Sequence, residues 1–242
     1  MDKFQLQDDE YVFPYHYLTS LDNEVPVIYK RLSWGYEYIT YLDFIHKHIE
    51  QKIKPDTLLD IGCGDGYLIN SFTYEENKFY KGIDLSERAI GFAKAFSNGY
   101  EFENIDLFKI DAKFNVVCLI EVLEHIPNDI LQSFVTESFS KVEIGGHMII
   151  AVPTTVDKVH KKHYRHYNES LLKDQCDQDN FELIKQVRLY KKSNILERLV
   201  KFSQRRNSKT LKSMVWNYHK RNTYFADVET GKHLIAIYKR TS

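Results

Sequence analysis

The stretch Thr57–Tyr67, TLLDIGCGDGY, decides the fold of this 242-residue chain. Leu58, Leu59 and Ile61 make a short apolar run with one acid, Asp60, set inside it. Gly62, Gly64 and Gly66 follow at alternate positions, and Tyr67-Leu68-Ile69 opens a helical pattern. The reading is a buried strand, a tight turn and a helix start. Glycines let the backbone come close to a ligand, and the first turn of a helix has N–H groups without partners, so a nucleotide-like ligand is expected at this turn.

Working outward, the apolar positions Tyr38, Tyr41, Leu42, Ile45 and Ile49 fall at helical spacing and predict an amphipathic helix over 38–53. Beyond the glycine turn, strands are predicted at 79–83, 100–104, 115–120 (NVVCLI) and 147–152, with helices between them. Ser86 has the look of an N-cap, a helix begins at Pro127, and Gly145-Gly146 reads as a turn. Two more strands are expected at 181–190 and 233–238 (HLIAIY). Strands alternating with helices predict a doubly wound, parallel α/β sheet whose ligands lie beyond the carboxyl ends of its strands. The expected organisation is an aromatic N-terminal cover and helix over 1–53, a core from 54–190 and 228–242, and a helical insertion over 191–227. From Lys191 to Arg221 that insertion carries ten basic residues against the single acid Glu197, with Ile195, Leu196, Leu199 and Val200 interleaved, so part of it is a basic amphipathic helix.

Composition narrows the function classes. Hydrophobic residues make up 43% and charged residues 28%, ordinary for a globular domain. A net charge of −1 argues against a globally basic nucleic-acid binder. Cys63, Cys118 and Cys176 are widely spaced with no CxxC pair, which implies neither a disulfide framework nor a thiolate zinc site. The charged start MDKFQLQDDE does not read as a signal peptide, and no apolar run approaches the roughly 18 residues of a membrane span, so a cytoplasmic location is expected.

The ligand at the glycine loop follows from its acids. The loop is GxGxG, Asp60 stands two residues before its first glycine and Asp65 lies within it. A pyrophosphate would be repelled there, which disfavours the alternative of a nicotinamide dehydrogenase. The sulfonium and ammonium of S-adenosylmethionine suit the site. Asp84 ends the second strand, where a carboxylate can accept from both hydroxyls of a ribose, and Asp106 follows the third, placed for an adenine amino group.

LLDIGCGDG, YKGIDLS, NVVCLIEVLEHIP and GGHMIIAVPT together resemble the motif series of the class I S-adenosylmethionine-dependent methyltransferases, over residues 57–155. The resemblance implies a Rossmann-like seven-stranded sheet with its last strand antiparallel, and methyl transfer. It also implies that Gly62 and Gly64 contact the methionine part of the cofactor, Asp84 the ribose, and Leu85 and Asp106 the adenine end, with Glu121 bordering the site. Asn115 stands where many relatives have Asp.

In-line transfer to a hydroxyl requires alignment of the acceptor and removal of its proton. Glu124, His125 and His163 are the candidate catalytic groups, with His125 or His163 as general base. Glu121, Glu124 and His125 with the later HxxH of His163 and His166 also resemble the metal site of the small-RNA 3′-terminal ribose 2′-O-methyltransferases. That resemblance implies Mg or Mn held by Glu121, Glu124, His125 and His166. Residues 167–170 match its FEW-containing segment poorly.

For the acceptor, three readings stay open. The N-terminal aromatics and the KHYRHY loop resemble bacterial methyltransferases associated with surface polysaccharides, implying a saccharide or other small hydroxyl compound. The basic insertion suits a phosphorylated or acidic substrate, RNA, an anionic membrane surface or a homodimer interface. A catalytically silent, cofactor-binding partner subunit is the third.

Overall fold

The computed structural model describes residues 2–9, 11, 19–22, 25–28, 35–206 and 208–242. Part of the expected N-terminal cover, including FPYHYL and Trp34, lies outside the described residues. Its described parts are helix α1 (Lys3–Asp8) and an antiparallel pair, β1 (Thr19–Asp22) with β2 (Val25–Ile28). Helix α2 (Gly35–His48) runs on through one widened turn, Ile49–Ile53, and stops at Lys54 in the left-handed region.

The core repeats strand and helix in order: β3 (Thr57–Ile61), α3 (Tyr67–Asn70), β4 (Phe79–Ile83), α4 (Glu87–Ala95), β5 (Glu101–Glu103), β6 (Phe114–Ile120), α5 (Leu131–Ser140), β7 (Val142–Pro153), α6 (Glu169–Cys176) and β8 (Phe181–Lys191). Then come α7 (Asn194–Arg206), α8 (Lys209–Asn222), the two-residue β9 (Phe225–Ala226) and β10 (Gly231–Arg240). Among the described residues these strands form one sheet in the order β5-β4-β3-β6-β7-β10-β8-β9. The first five are parallel, and β10 enters antiparallel between β7 and β8. The expected seven strands are present, and β9 adds a short edge beyond them.

Period-two burial explains the layers. In β6, Val116 and Cys118 face one apolar cluster while Val117 and Leu119 face the other; β7 and β10 alternate likewise. Both faces are therefore covered by helices, as parallel strands require. Ser86 caps α4 by accepting from the Ala89 N–H. Two expectations are corrected. The helix anticipated from Pro127 starts at Leu131. Gly145-Gly146 is not a turn: β7 runs through it with a bulge, because Gly145 takes a φ of 81° and a Cβ on Gly146 would sit 2.7 Å from the Asn115 carbonyl of β6.

The α7–α8 insertion packs on the core cluster through Leu196, Val200, Val215 and Trp216. Buried His219 locks it to α2. Its Nε2 lies 2.8 Å from the Thr40 hydroxyl, its Nδ1 lies 2.6 Å from that of Thr223, and burial pushes its pKa down to about 3.

Candidate active site

The glycine turn is held against the neighbouring strand. The N–H groups of Gly62 and Cys63 both donate to the Ile83 carbonyl, at 2.8 and 3.0 Å, so the loop folds over the end of β4. Gly62, Gly64 and Gly66 all have positive φ. A Cβ on Gly62 would lie 2.6 Å from Val122 and one on Gly66 2.7 Å from Phe102, so neither space nor backbone admits another residue. Asp84 ties the turn to the next element by accepting from the Gly64 N–H at 2.9 Å and the Ser86 N–H at 2.8 Å. Burial raises its pKa against the effect of those two N–H donors. Asp60 is also buried; desolvation and the nearby Asp84 push it up to about 8.

Three cavities line up along the carboxyl ends of the strands. The first, about 240 Å³, is an apolar slot lined by Leu85, Ile105, Phe108 and Phe134 and flanked by Asp84 and Asp106. Asp106 here caps a short helical turn by accepting from the Phe108 N–H at 3.0 Å, and Leu85 is 59% exposed at the mouth. The second, about 250 Å³, lies over Asp60, Gly62 and Gly64. The third, about 860 Å³, opens between the loop after β7 and helix α7. Helix α1 crosses the first two: Asp8 accepts from the Ser86 hydroxyl, and Gln7 accepts from Lys162 at 2.9 Å.

Glu121 borders all three cavities. It ends β6 with a φ of 55°, a backbone that side-chain-bearing residues seldom adopt and that clusters at functional sites. Its carboxylate accepts from His233 Nδ1 at 3.0 Å, and His233 Nε2 donates to Glu37 at 2.8 Å. Burial alone would lower the His233 pKa, but Glu121 and Glu37 prevail and hold it at about 10, so the ring is an imidazolium between two carboxylates. Lys232 completes the network, reaching Glu37 at 2.7 Å and Asp157 at 2.8 Å. Sequence reasoning missed Glu37, Lys232 and His233. A histidine opening the otherwise apolar HLIAIY strand was the available signal.

Glu124, His125 and His163 come together, with ligand atoms all within 4.8 Å of one another. Glu124 is fully buried, and neither carboxylate oxygen has a hydrogen-bond partner among the described residues. Desolvation, with the neighbouring Glu121, pushes its pKa well up. The loop bearing His163 is fastened to this turn: the Tyr164 N–H donates to the Glu124 carbonyl at 2.7 Å and Arg165 to that of Leu123 at 2.6 Å.

A histidine chain fixes the tautomer of His163. The Asp157 carbonyl can only accept, so His166 Nδ1, at 3.0 Å, is the N–H. With its proton on Nδ1, His166 can offer Nε2 as acceptor to His163 Nδ1 at 2.8 Å, which leaves the lone pair of His163 on Nε2. Burial and the surrounding histidines His125, His166 and His160 lower the His163 pKa to about 3. Of the four metal ligands expected from sequence, Glu124 and His125 therefore converge and His163 joins them. Glu121 is instead bonded to His233, and His166 to His163 and Asp157.

Against known proteins, residues 34–186 match the family model described as a methyltransferase domain. The chain belongs to that family. Ubiquinone biosynthesis O-methyltransferase of Coxiella burnetii is 29% identical over 114 residues, covering 43% of this chain and 47% of the relative. That of Neisseria meningitidis is 35% identical over 96 residues, covering 36% and 40%. The chain thus spans about half the length of the curated relatives it matches. Among solved structures, N-methyltransferase NodS of Bradyrhizobium japonicum, in complex with S-adenosylhomocysteine, covers 100% of both chains at a TM-score of 0.64 and 13% identity. Magnesium protoporphyrin IX methyltransferase of Synechocystis, with bound S-adenosylmethionine, covers 99% of this chain and 98% of its own at 0.58 and 14%. Among the described residues, no helix is long and apolar enough to cross a membrane.

Proposed function

We propose that the protein methylates a hydroxyl of a small acceptor, a saccharide or compound of similar size, with S-adenosylmethionine as donor. The observation that carries this reading is the series of three cavities meeting at Glu121. The residues fit the cofactor. The apolar slot at Leu85 suits adenine, with Asp106 at its polar edge, and the free lone pairs of Asp84 suit the ribose hydroxyls. The space over Gly62 and Gly64 suits the methionine part, and Asp60 is a buried carboxylate that a cationic ligand would ionise. When bound, the cofactor supplies an electrophilic methyl group. Glu121, clamped by His233, borders both that group and the large chamber, while Glu124, His125 and His163 receive the acceptor hydroxyl. His163 Nε2, unprotonated at neutral pH, accepts its proton or its hydrogen bond.

The second reading adds a divalent ion at Glu124, His125 and His163, favoured by the fully buried carboxylate of Glu124, which accepts no hydrogen bond among the described residues and has His125 Nε2 4.0 Å away. A nitrogen that stays unprotonated down to about pH 3 suits a metal ligand. Two imidazoles with one carboxylate lean toward Mn or Zn over Mg. Such an ion would acidify the acceptor hydroxyl.

The test is formation of S-adenosylhomocysteine with a panel of sugars, phenols and nucleosides, with and without chelator. Turnover with a small hydroxyl compound supports the reading, and loss under chelator restored by Mn or Zn selects its metal-dependent form. Turnover only with RNA, or cofactor binding with no turnover on any acceptor, would overturn it in favour of an RNA enzyme or a silent partner subunit.

A further inference from the structure

The large chamber carries a charge pattern that the methyl-transfer chemistry does not use. Its inner charges are paired: Glu37 with Lys232 and His233, Glu121 with His233, and Asp157 with Lys192 and Lys232. Its outer wall is different. Lys158, from the loop after β7, and Lys201 and Arg205, one turn apart on α7, also line the chamber. Among the described residues their side chains make no ion pair or hydrogen bond. Glu197 is the one acid beside them on that wall. Three cations from two separate elements thus face a common space with a single counter-charge. Tyr36, Pro153, Tyr190 and Val200 add an apolar and aromatic share to the same lining. Tyr190 has a φ of 58°, so a second strained residue borders this chamber alongside Glu121.

Resting on the methyl-transfer reading, we infer that the acceptor is a phosphorylated compound, its phosphate group held by Lys158, Lys201 and Arg205 while its hydroxyl reaches His163. An aromatic wall with a cationic end is what a sugar or nucleoside phosphate requires, and a chamber of about 860 Å³ accommodates one. The recognition is positional. Lys158, Lys201 and Arg205 are exposed whereas Glu37 and Glu121 are half-buried, so an anion that passed the cations would meet two carboxylates.

Pyrophosphate serves as the probe, titrated by calorimetry at low ionic strength into the protein with and without S-adenosylhomocysteine. The expected result is saturable binding with a dissociation constant below roughly 1 mM. In a Lys201→Ala/Arg205→Ala double variant, affinity should fall about tenfold or more, with S-adenosylhomocysteine affinity and melting temperature unchanged. A Lys209→Ala/Lys212→Ala variant on α8 should bind pyrophosphate as the parent does. Absence of saturable binding, or equal weakening by the α8 pair, would overturn the inference. Failure of S-adenosylhomocysteine to bind is a separate result and counts against the cofactor reading instead.

Discussion

The two ends of the site are built in opposite ways. The proposed cofactor end is mainly local: Asp60, Gly62, Gly64, Asp84 and Asp106 follow one another at successive strand ends within fewer than 50 residues, with helix α1 laid over them. The acceptor end is assembled from afar. Glu37 on α2, Glu121 after β6 and His233 on β10 meet only because β10 inserts between β7 and β8. A local site can be built from backbone turns and single carboxylates, whereas a distributed one needs buried charges that hold one another. The first kind tolerates change elsewhere in the chain; the second couples the acceptor chamber to the whole fold.

The sharpest way to break this contrast is to remove chemistry from the acceptor end alone. His163→Ala should lower turnover by roughly 10²–10⁴-fold, as base or as ligand, while S-adenosylhomocysteine affinity stays within a factor of two. Equal losses in turnover and cofactor affinity would show that the two ends are not separable. Next in size is His233→Ala, which leaves Glu37 and Glu121 facing each other without the imidazolium. Removing one member of a buried charged set costs about 3 kcal/mol, so the melting temperature should fall by several degrees. An unchanged melting temperature would mean that Lys232 alone neutralises Glu37 and that the network is not structural.

The same contrast explains what the sequence revealed. Asp84 and the glycine loop were legible because their spacing is a property of one strand-turn-helix unit. The parallel sheet was legible because its strands are continuous apolar runs. His233 was not, since nothing in HLIAIY says which strand it will lie beside or that Glu37, 196 positions away, will accept its hydrogen bond. His166 showed as the end of an HxxH pattern, but spacing cannot tell a ligand from the group that orients one; the Asp157 carbonyl decides that. Gly145-Gly146 misled because a bulge and a turn use glycine for the same backbone reason.

At the cofactor end, Asp84→Ala should weaken S-adenosylhomocysteine binding by about 1–3 kcal/mol, read by calorimetry. The carboxylate also accepts from Gly64 and Ser86, so loop order contributes to that loss. Asp84→Asn, which keeps one acceptor oxygen, should recover part of it. Unchanged affinity in the alanine variant would sink the ribose assignment.

The smallest effect tests the electrostatics of the loop itself. Asp60 has a folded pKa of about 8 against an ordinary value of 3.8, so between those limits the folded protein binds a proton that the unfolded chain has released. Stability then falls as pH rises across this window and stops falling, as far as Asp60 is concerned, above about 8. His233, held at about 10, acts in the same direction between 6.5 and 10, and His163, held at about 3, acts oppositely below 6.5. The interval from pH 6.5 to 7.5 lies above the window of His163, and Asp60→Asn separates Asp60 from His233 and from Glu124, whose carboxyl is also raised by burial. The variant should flatten the decline by at most about 1.4 kcal/mol per pH unit, about three to six degrees of melting temperature. A saturating cationic cofactor should flatten it in the parent as well, because its charge favours the ionised carboxylate. Identical slopes in parent and variant would mean that Asp60 is already ionised without ligand, and the acid in TLLDIGCGDGY would then be a structural group and not the counter-charge for a sulfonium.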